Sequence, residues 1–285
     1  MRADRDRQTR TLRPVHPNAG IEAAYRKRLD VLIAEMNRSL VHWLSAAYRA
    51  NEPEMAQDAP PDAGGHEPRP EQPRRRSPAM AMRYRMRRLT RQWQTRFDEA
   101  APDLAKYFAT AAAQRSDATL KSILKKAGFT VQFKLTRTAN DVLQATIAEN
   151  VALIKSIASQ HLTQVEGAVM RSVQAGRDLA TLAGELEHQY GVTRRRAAFI
   201  ARDQNNKATA TIQRVRQVEL GITEAIWVHS GGGREPRPTH LKAGRDRQRY
   251  EISKGWLDPA VGKLILPGEL PNCRCVARAV VPGFS

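Results

Sequence analysis

One run of apolar residues constrains this chain more than any other. Leu143, Ile147, Val151, Ile154, Ala158, Leu162, Val165 and Val169 recur at spacings of three and four. Such a stripe runs for about eight turns and requires a long helix buried along one side. Gly176 marks its expected end. A shorter helix carrying Leu179, Leu182, Ala183, Leu186 and Tyr190 is expected to follow and to stop at Gly191. Thr193 then stands where an N-cap belongs, and the next helix runs to Leu220 with Gly221 as its C-cap. Three antiparallel helices with short connections form the expected core.

The flanks differ in texture. Ile21, Tyr25, Leu29, Leu32, Met36, Leu40, Trp43, Leu44 and Ala47 mark an amphipathic helix of about seven turns near the start. Asn51 to Pro78 hold seven prolines and almost no large apolar side chain. Such a segment cannot offset its ordering entropy by burial, so it is expected to be a disordered linker. After a helix from about Met80, Gly128–Leu135 alternates apolar and polar residues. It reads as a short strand or extended hook, with Phe129, Val131, Phe133 and Leu135 on one side. Beyond Ile222 come Gly231–Gly233, several prolines, and apolar pieces at Ala225–Val228 and Lys263–Leu266 that read as short strands. The fold class expected is mainly α, an antiparallel helical core with a small C-terminal α+β domain. The segments are 1–50, an amphipathic helical region; 51–79, the linker; 80–221, the helical core; and 222–285, the α+β domain.

Charge narrows the partners. The chain has 285 residues, enough for roughly two folding units. It carries 47 Lys plus Arg against 29 Asp plus Glu, for a net +18 and a pI near 10.6. A balance this basic points to a polyanion, with duplex DNA first. Aromatics are 6% of the residues, which supplies a single-strand stacking platform poorly. From Arg69 to Arg96 there are ten arginines and one acid, Glu71. Either this is a solvated helix face or it is an arm that binds phosphates. On the second reading Arg74, Arg75, Arg76, Arg83, Arg85, Arg87 and Arg88 contact duplex DNA without sequence preference. No run of 18 apolar residues suggests a membrane span, and the polar start is not a secretory signal.

Catalytic motifs are missing. There is neither a phosphate loop nor a nucleophile elbow. Asp203, between Arg202 and Gln204, reads as a local ion-pair partner and not as a general base. The C-terminal cluster is more specific. Cys273 and Cys275 are too close in sequence for an unstrained disulfide. With His240 they supply three ligands of the kinds suited to a structural zinc, and His229 or Asp246 is the candidate fourth. Alternatively the thiols pack as small hydrophobes and His240 bonds a turn. A hydrolytic metal site normally needs carboxylates, and only Asp246 and Asp258 lie near.

The order of these residues carries a resemblance. Arg196–Gln204 opens a helix that Glu219–Gly221 closes. Then come Trp227, Arg237-Pro-Thr-His240, Gly244, and Pro271-Asn272-Cys273-Arg274-Cys275. From about Phe129 to Phe284 the chain resembles the phage Mu F-like head morphogenesis family, minor head proteins of tailed phages. The resemblance implies a non-enzymatic minor capsid protein that assembles with portal or scaffold and handles packaged DNA. It implies a place in the capsid interior or at the portal vertex, and in the host cytoplasm during assembly. It gives Trp227, Arg237, Gly244, Pro271, Asn272 and Arg274 as structural motif residues. The family usually has an Asp shortly before the Arg-Pro-x-His motif. Here Gly231, Gly232 and Gly233 occupy that stretch, which predicts a loosened histidine. The competing function is a metal-dependent DNA-processing enzyme built on His240, Cys273 and Cys275.

Overall fold

The computed structural model describes residues 10–51, 77–176, 179–233 and 235–281. The expected linker lies outside the described residues from 52 to 76, and Arg74, Arg75 and Arg76 with it. Four long helices dominate: α1 (Ala19–Arg49), α2 (Pro78–Lys126), α3 (Arg137–Gln174) and α4 (Leu179–Glu219). The starts of α1, α2 and α3 are capped. The Asn18 carboxamide oxygen accepts from the Ile21 amide at 3.1 Å, Ser77 Oγ from Met80 at 3.3 Å, and Thr136 Oγ1 from Ala139 at 3.1 Å. α4 closes at Gly221, whose φ of 71° is the left-handed conformation a C-cap requires. The Gly221 amide donates to Val218 O and that of Ile222 to Gln217 O, pairing the last carbonyls.

Two expectations are corrected here. The break at Gly191 does not occur, and α4 runs through it. Thr193 is therefore not an N-cap. Its hydroxyl donates to Gln189 O, one turn back, at 2.9 Å and stands 2.8 Å from His161 Nδ1. Burial along α4 outweighs the mild helix penalty of one glycine. Of the two readings offered for Phe129–Leu135, strand or hook, the structure has the second. It is an extended hook in which Phe129, Val131 and Phe133 pack on the apolar core while Leu135 is exposed. Arg216 holds it: Nη1 donates to Lys134 O at 2.9 Å, and the guanidinium lies over the Phe133 ring.

The chain divides into two compact units. In one, formed by 28–101 and 153–197, the buried residues come from all four helices. They include Leu29, Met36 and Leu40, then Met86 and Phe97, Leu162 and Val165, and Leu186. Trp43, expected on the buried stripe of α1, is instead exposed, with the Arg85 guanidinium 4.9 Å above its ring.

The other unit combines the described residues up to Lys27 with 102–152 and 198–281. It contains a four-stranded antiparallel sheet: β1 (Arg10–Thr11), β2 (Glu224–Val228), β3 (Arg249–Glu251) and β6 (Val276–Val281), in the order β1-β6-β2-β3. A hairpin of β4 (Trp256–Asp258) and β5 (Lys263–Ile265) and the short helix α5 (Pro238–Arg245) complete it. Pairing of the basic N-terminal segment with β6 was not legible in sequence, because Arg10–Thr11 is too short to show alternation. Along β2, Ala225 and Trp227 face inward. They join Leu120, Leu124, Ile252, Ile265 and Ala279 in one apolar cluster.

Candidate functional site

The cluster that sequence singled out is assembled by three elements. Pro238 starts α5 at a position where its missing amide costs nothing, and two residues on His240 points into the core, 2% exposed. Cys273 lies in the loop before β6, and Cys275 directly precedes Val276, the first residue of that strand. His240 Nδ1 stands 3.5 Å from Cys273 Sγ and 3.7 Å from Cys275 Sγ. Trp227 packs edge-on to the imidazole with ring centroids 5.0 Å apart. His229 and Asp246 do not join the group. His229 Nδ1 accepts from the Gly231 amide at 3.0 Å, and Asp246 pairs with Arg245 near the surface.

A different acid lies beside the histidine that was expected to be loosened. Asp258 on β4 is fully buried and places Oδ2 3.3 Å from His240 Nε2. The same carboxylate accepts from the Ala260 amide at 2.9 Å and the Thr239 hydroxyl at 3.3 Å. A carboxylate from the downstream hairpin thus stands beside the ring. Sequence reasoning noticed Asp258 only as a nearby acid, since nothing in a linear motif tells which strand folds back onto α5.

A hydrogen bond from Cys275 holds Cys273 well below the usual thiol range, against the opposing effect of burial. The same bond, together with burial, pushes Cys275 up. Backbone amides of Cys275 and Gly268 also favour the Cys273 thiolate.

The loop carrying the cysteines is tied from α4 and α5. Asp203, 5% exposed, accepts from the Asn272 amide at 2.6 Å and pairs with Lys207 Nζ at 2.9 Å. Asn206 Nδ2 donates to Cys273 O at 3.2 Å, and Arg237 Nη2 donates to Pro271 O at 3.0 Å. Asn272 has φ 59°, a left-handed conformation that asparagine tolerates better than most residues. Asp203 is thus an ion-pair partner, and it also anchors the motif loop. Arg274 and Arg237 line a cleft of about 490 Å³ beside the cluster, with His229, Ser230, Cys273 and Cys275. Gly244 is required by close approach: a Cβ there would fall 2.5 Å from His229 Cβ and 2.9 Å from His229 N.

The polar side of α4 was missed as part of the site. A further chain runs from the Tyr25 hydroxyl to Asn150 Oδ1, from Asn150 Nδ2 to Gln204 Oε1, and from Gln204 Nε2 to Glu149. The visible signal was the polar run Asp203–Asn206 inside a helix whose neighbours are apolar.

Of the arginines within the described residues, Arg83, Arg87 and Arg88 are exposed on α2, and Arg85 is half-buried over Trp43. Among the described residues no carboxylate pairs with the first three. No helix among the described residues is long and apolar enough to cross a membrane.

Comparison with known proteins agrees with the motif order. A protein of Haemophilus influenzae described as uncharacterized is 35% identical over 139 residues, covering 49% of this chain and 29% of its own length. The chain thus spans about three-tenths of the curated relative it matches. No solved structure matches. Residues 163–278, with His240 and both cysteines, match the family model for phage Mu protein F like protein.

Proposed function

We propose that this protein acts in morphogenesis of a tailed-phage head, as a minor structural component that joins portal or scaffold and contacts packaged DNA through basic surface. The observation that carries the reading is the family match over 163–278, which includes the whole motif from Trp227 to Cys275. The tethering of that motif to α4 by Asp203 and Asn206 fits a structural role. A net charge of +18 suits a chain that meets dense DNA. On this reading the protein is not an enzyme. It resides in the capsid interior or at the portal vertex after assembly in the host cytoplasm.

The test is genetic and compositional. Purified particles of the phage encoding this chain should contain it at low copy by mass spectrometry. A nonsense mutation early in its gene should yield defective heads while tails still form. Normal, infectious heads lacking the protein would overturn the reading.

A further inference from the structure

The distances around His240 match a geometry that a hydrogen-bonded trio does not require. In a tetrahedral site with Zn–S about 2.3 Å and Zn–N about 2.0–2.1 Å, a sulfur and an imidazole nitrogen stand about 3.6 Å apart. His240 Nδ1 meets Cys273 Sγ at 3.5 Å and Cys275 Sγ at 3.7 Å, and the three ligand atoms lie within 4.8 Å of one another. One ring N–H can be directed at a single sulfur, whereas a metal ion engages both equally.

The far side of the ring supplies a second observation. Buried Nε2 lies 3.3 Å from Asp258 Oδ2, yet off hydrogen-bond alignment and with no other partner. Metal-bound histidines typically turn their second nitrogen to a carboxylate, which fixes the tautomer and the ring orientation. Asp258 is itself fully buried, and among the described residues no Lys or Arg pairs with it.

We infer that His240 Nδ1, Cys273 and Cys275 bind a zinc ion, with Asp258 as the residue that positions His240. Thiolate and imidazole ligands select zinc over the hard divalent cations. Binding displaces the remaining thiol protons to solvent. The cleft lined by Ser230, Arg237 and Arg274 also borders His240, Cys273 and Cys275, so a fourth ligand such as water would reach the ion from that side. The ion joins α5 to the loop before β6. The inference rests on the geometry of the cluster and is independent of the head-assembly reading.

The experiment uses the full chain, purified under reducing conditions from zinc-supplemented growth and dialysed against metal-free buffer. Elemental analysis should find about one zinc per chain. Chelator-stripped protein titrated with cobalt(II) should develop a thiolate charge-transfer band and the intense d–d bands of tetrahedral cobalt. Cys273→Ser and Cys275→Ser should each abolish stoichiometric zinc. Asp258→Asn should keep the site but weaken zinc affinity about 10–100-fold. Asp246→Asn, at an exposed carboxylate outside the cluster, should change nothing. If a cysteine variant fails to fold, wild-type protein still decides: added zinc should slow alkylation of both thiols. Wild-type protein without zinc, without the cobalt spectrum and with alkylation indifferent to zinc would overturn the inference. So would zinc retained in full by the double serine variant.

Discussion

The amide of Asn272 donates to the Asp203 carboxylate at 2.6 Å across 69 positions of sequence. That bond fixes the left-handed turn at Asn272 and thereby sets where Cys273 emerges from the loop. Asp203→Ala removes the acceptor and also leaves Lys207 without its closest partner. Losing a charge-assisted bond at a site this buried should cost about 1–3 kcal/mol. The melting temperature should fall by several degrees, and Cys273 should alkylate faster than in wild type. Unchanged alkylation would show that the loop is held by Asn206 and Arg237 alone.

A second prediction follows from Gly244. Its Cβ position is occupied by His229, with both side-chain and backbone atoms inside 3.0 Å. Gly244→Ala must push α5 away from the end of β2, and with it His240. Overpacking of this kind should cost about 1–3 kcal/mol. Gly184→Ala, on α4 where nothing lies within 4 Å of the added methyl, should be neutral or slightly stabilising. Urea unfolding of the two variants checks the contrast, and equal midpoints would refute the close-approach account.

The third concerns acid. Burial pushes His161 from 6.5 down to about 4. Its Nδ1 faces Thr193 Oγ1, whose own proton goes to Gln189 O, so the ring donates there and stays neutral in the fold. The folded pKa lies below the unfolded one, so the unfolded chain takes up the proton first on acidification. Stability from this residue is complete above pH 6.5 and is lost as pH falls toward 4, by at most about 3 kcal/mol. His161→Gln should flatten the pH dependence of unfolding in that window. Parallel curves for variant and wild type would assign the acid sensitivity to other groups.

Sequence revealed the helices and the cluster unevenly, for physical reasons. The stripe from Leu143 to Val169 and the cap at Gly221 were legible because period and backbone conformation are local properties. Gly191 and Thr193 misled, since both carry local break signals that the burial of Leu186 and Ala197 on either side outweighs. His240, Cys273 and Cys275 were legible as ligand types. Asp258 was not legible as their neighbour, because its place depends on the β4–β5 hairpin folding back on α5. Arg85 shows the same limit. A count of arginines cannot separate a residue stacked on Trp43 from three that face solvent.

That separation defines the last prediction. Arg83, Arg87 and Arg88 are exposed on α2 and paired with no carboxylate among the described residues, so they are free to meet phosphates. Arg85 stacks over Trp43 at 4.9 Å, and its replacement should act chiefly through lost packing. Each phosphate contact contributes about 0.9 to the slope of log affinity against log salt. Replacing Arg83, Arg87 and Arg88 by Ala should therefore lower the slope for a random duplex by about 2.7. Between roughly 50 and 200 mM salt, wild type should lose about forty-fold more affinity than the triple variant. Arg85→Ala should leave most of the slope intact while lowering the melting temperature. Fluorescence anisotropy across a salt series measures both. If the slope is unchanged in the triple variant, these arginines do not touch DNA, and the exposed basic face of α2 belongs to an acidic protein partner.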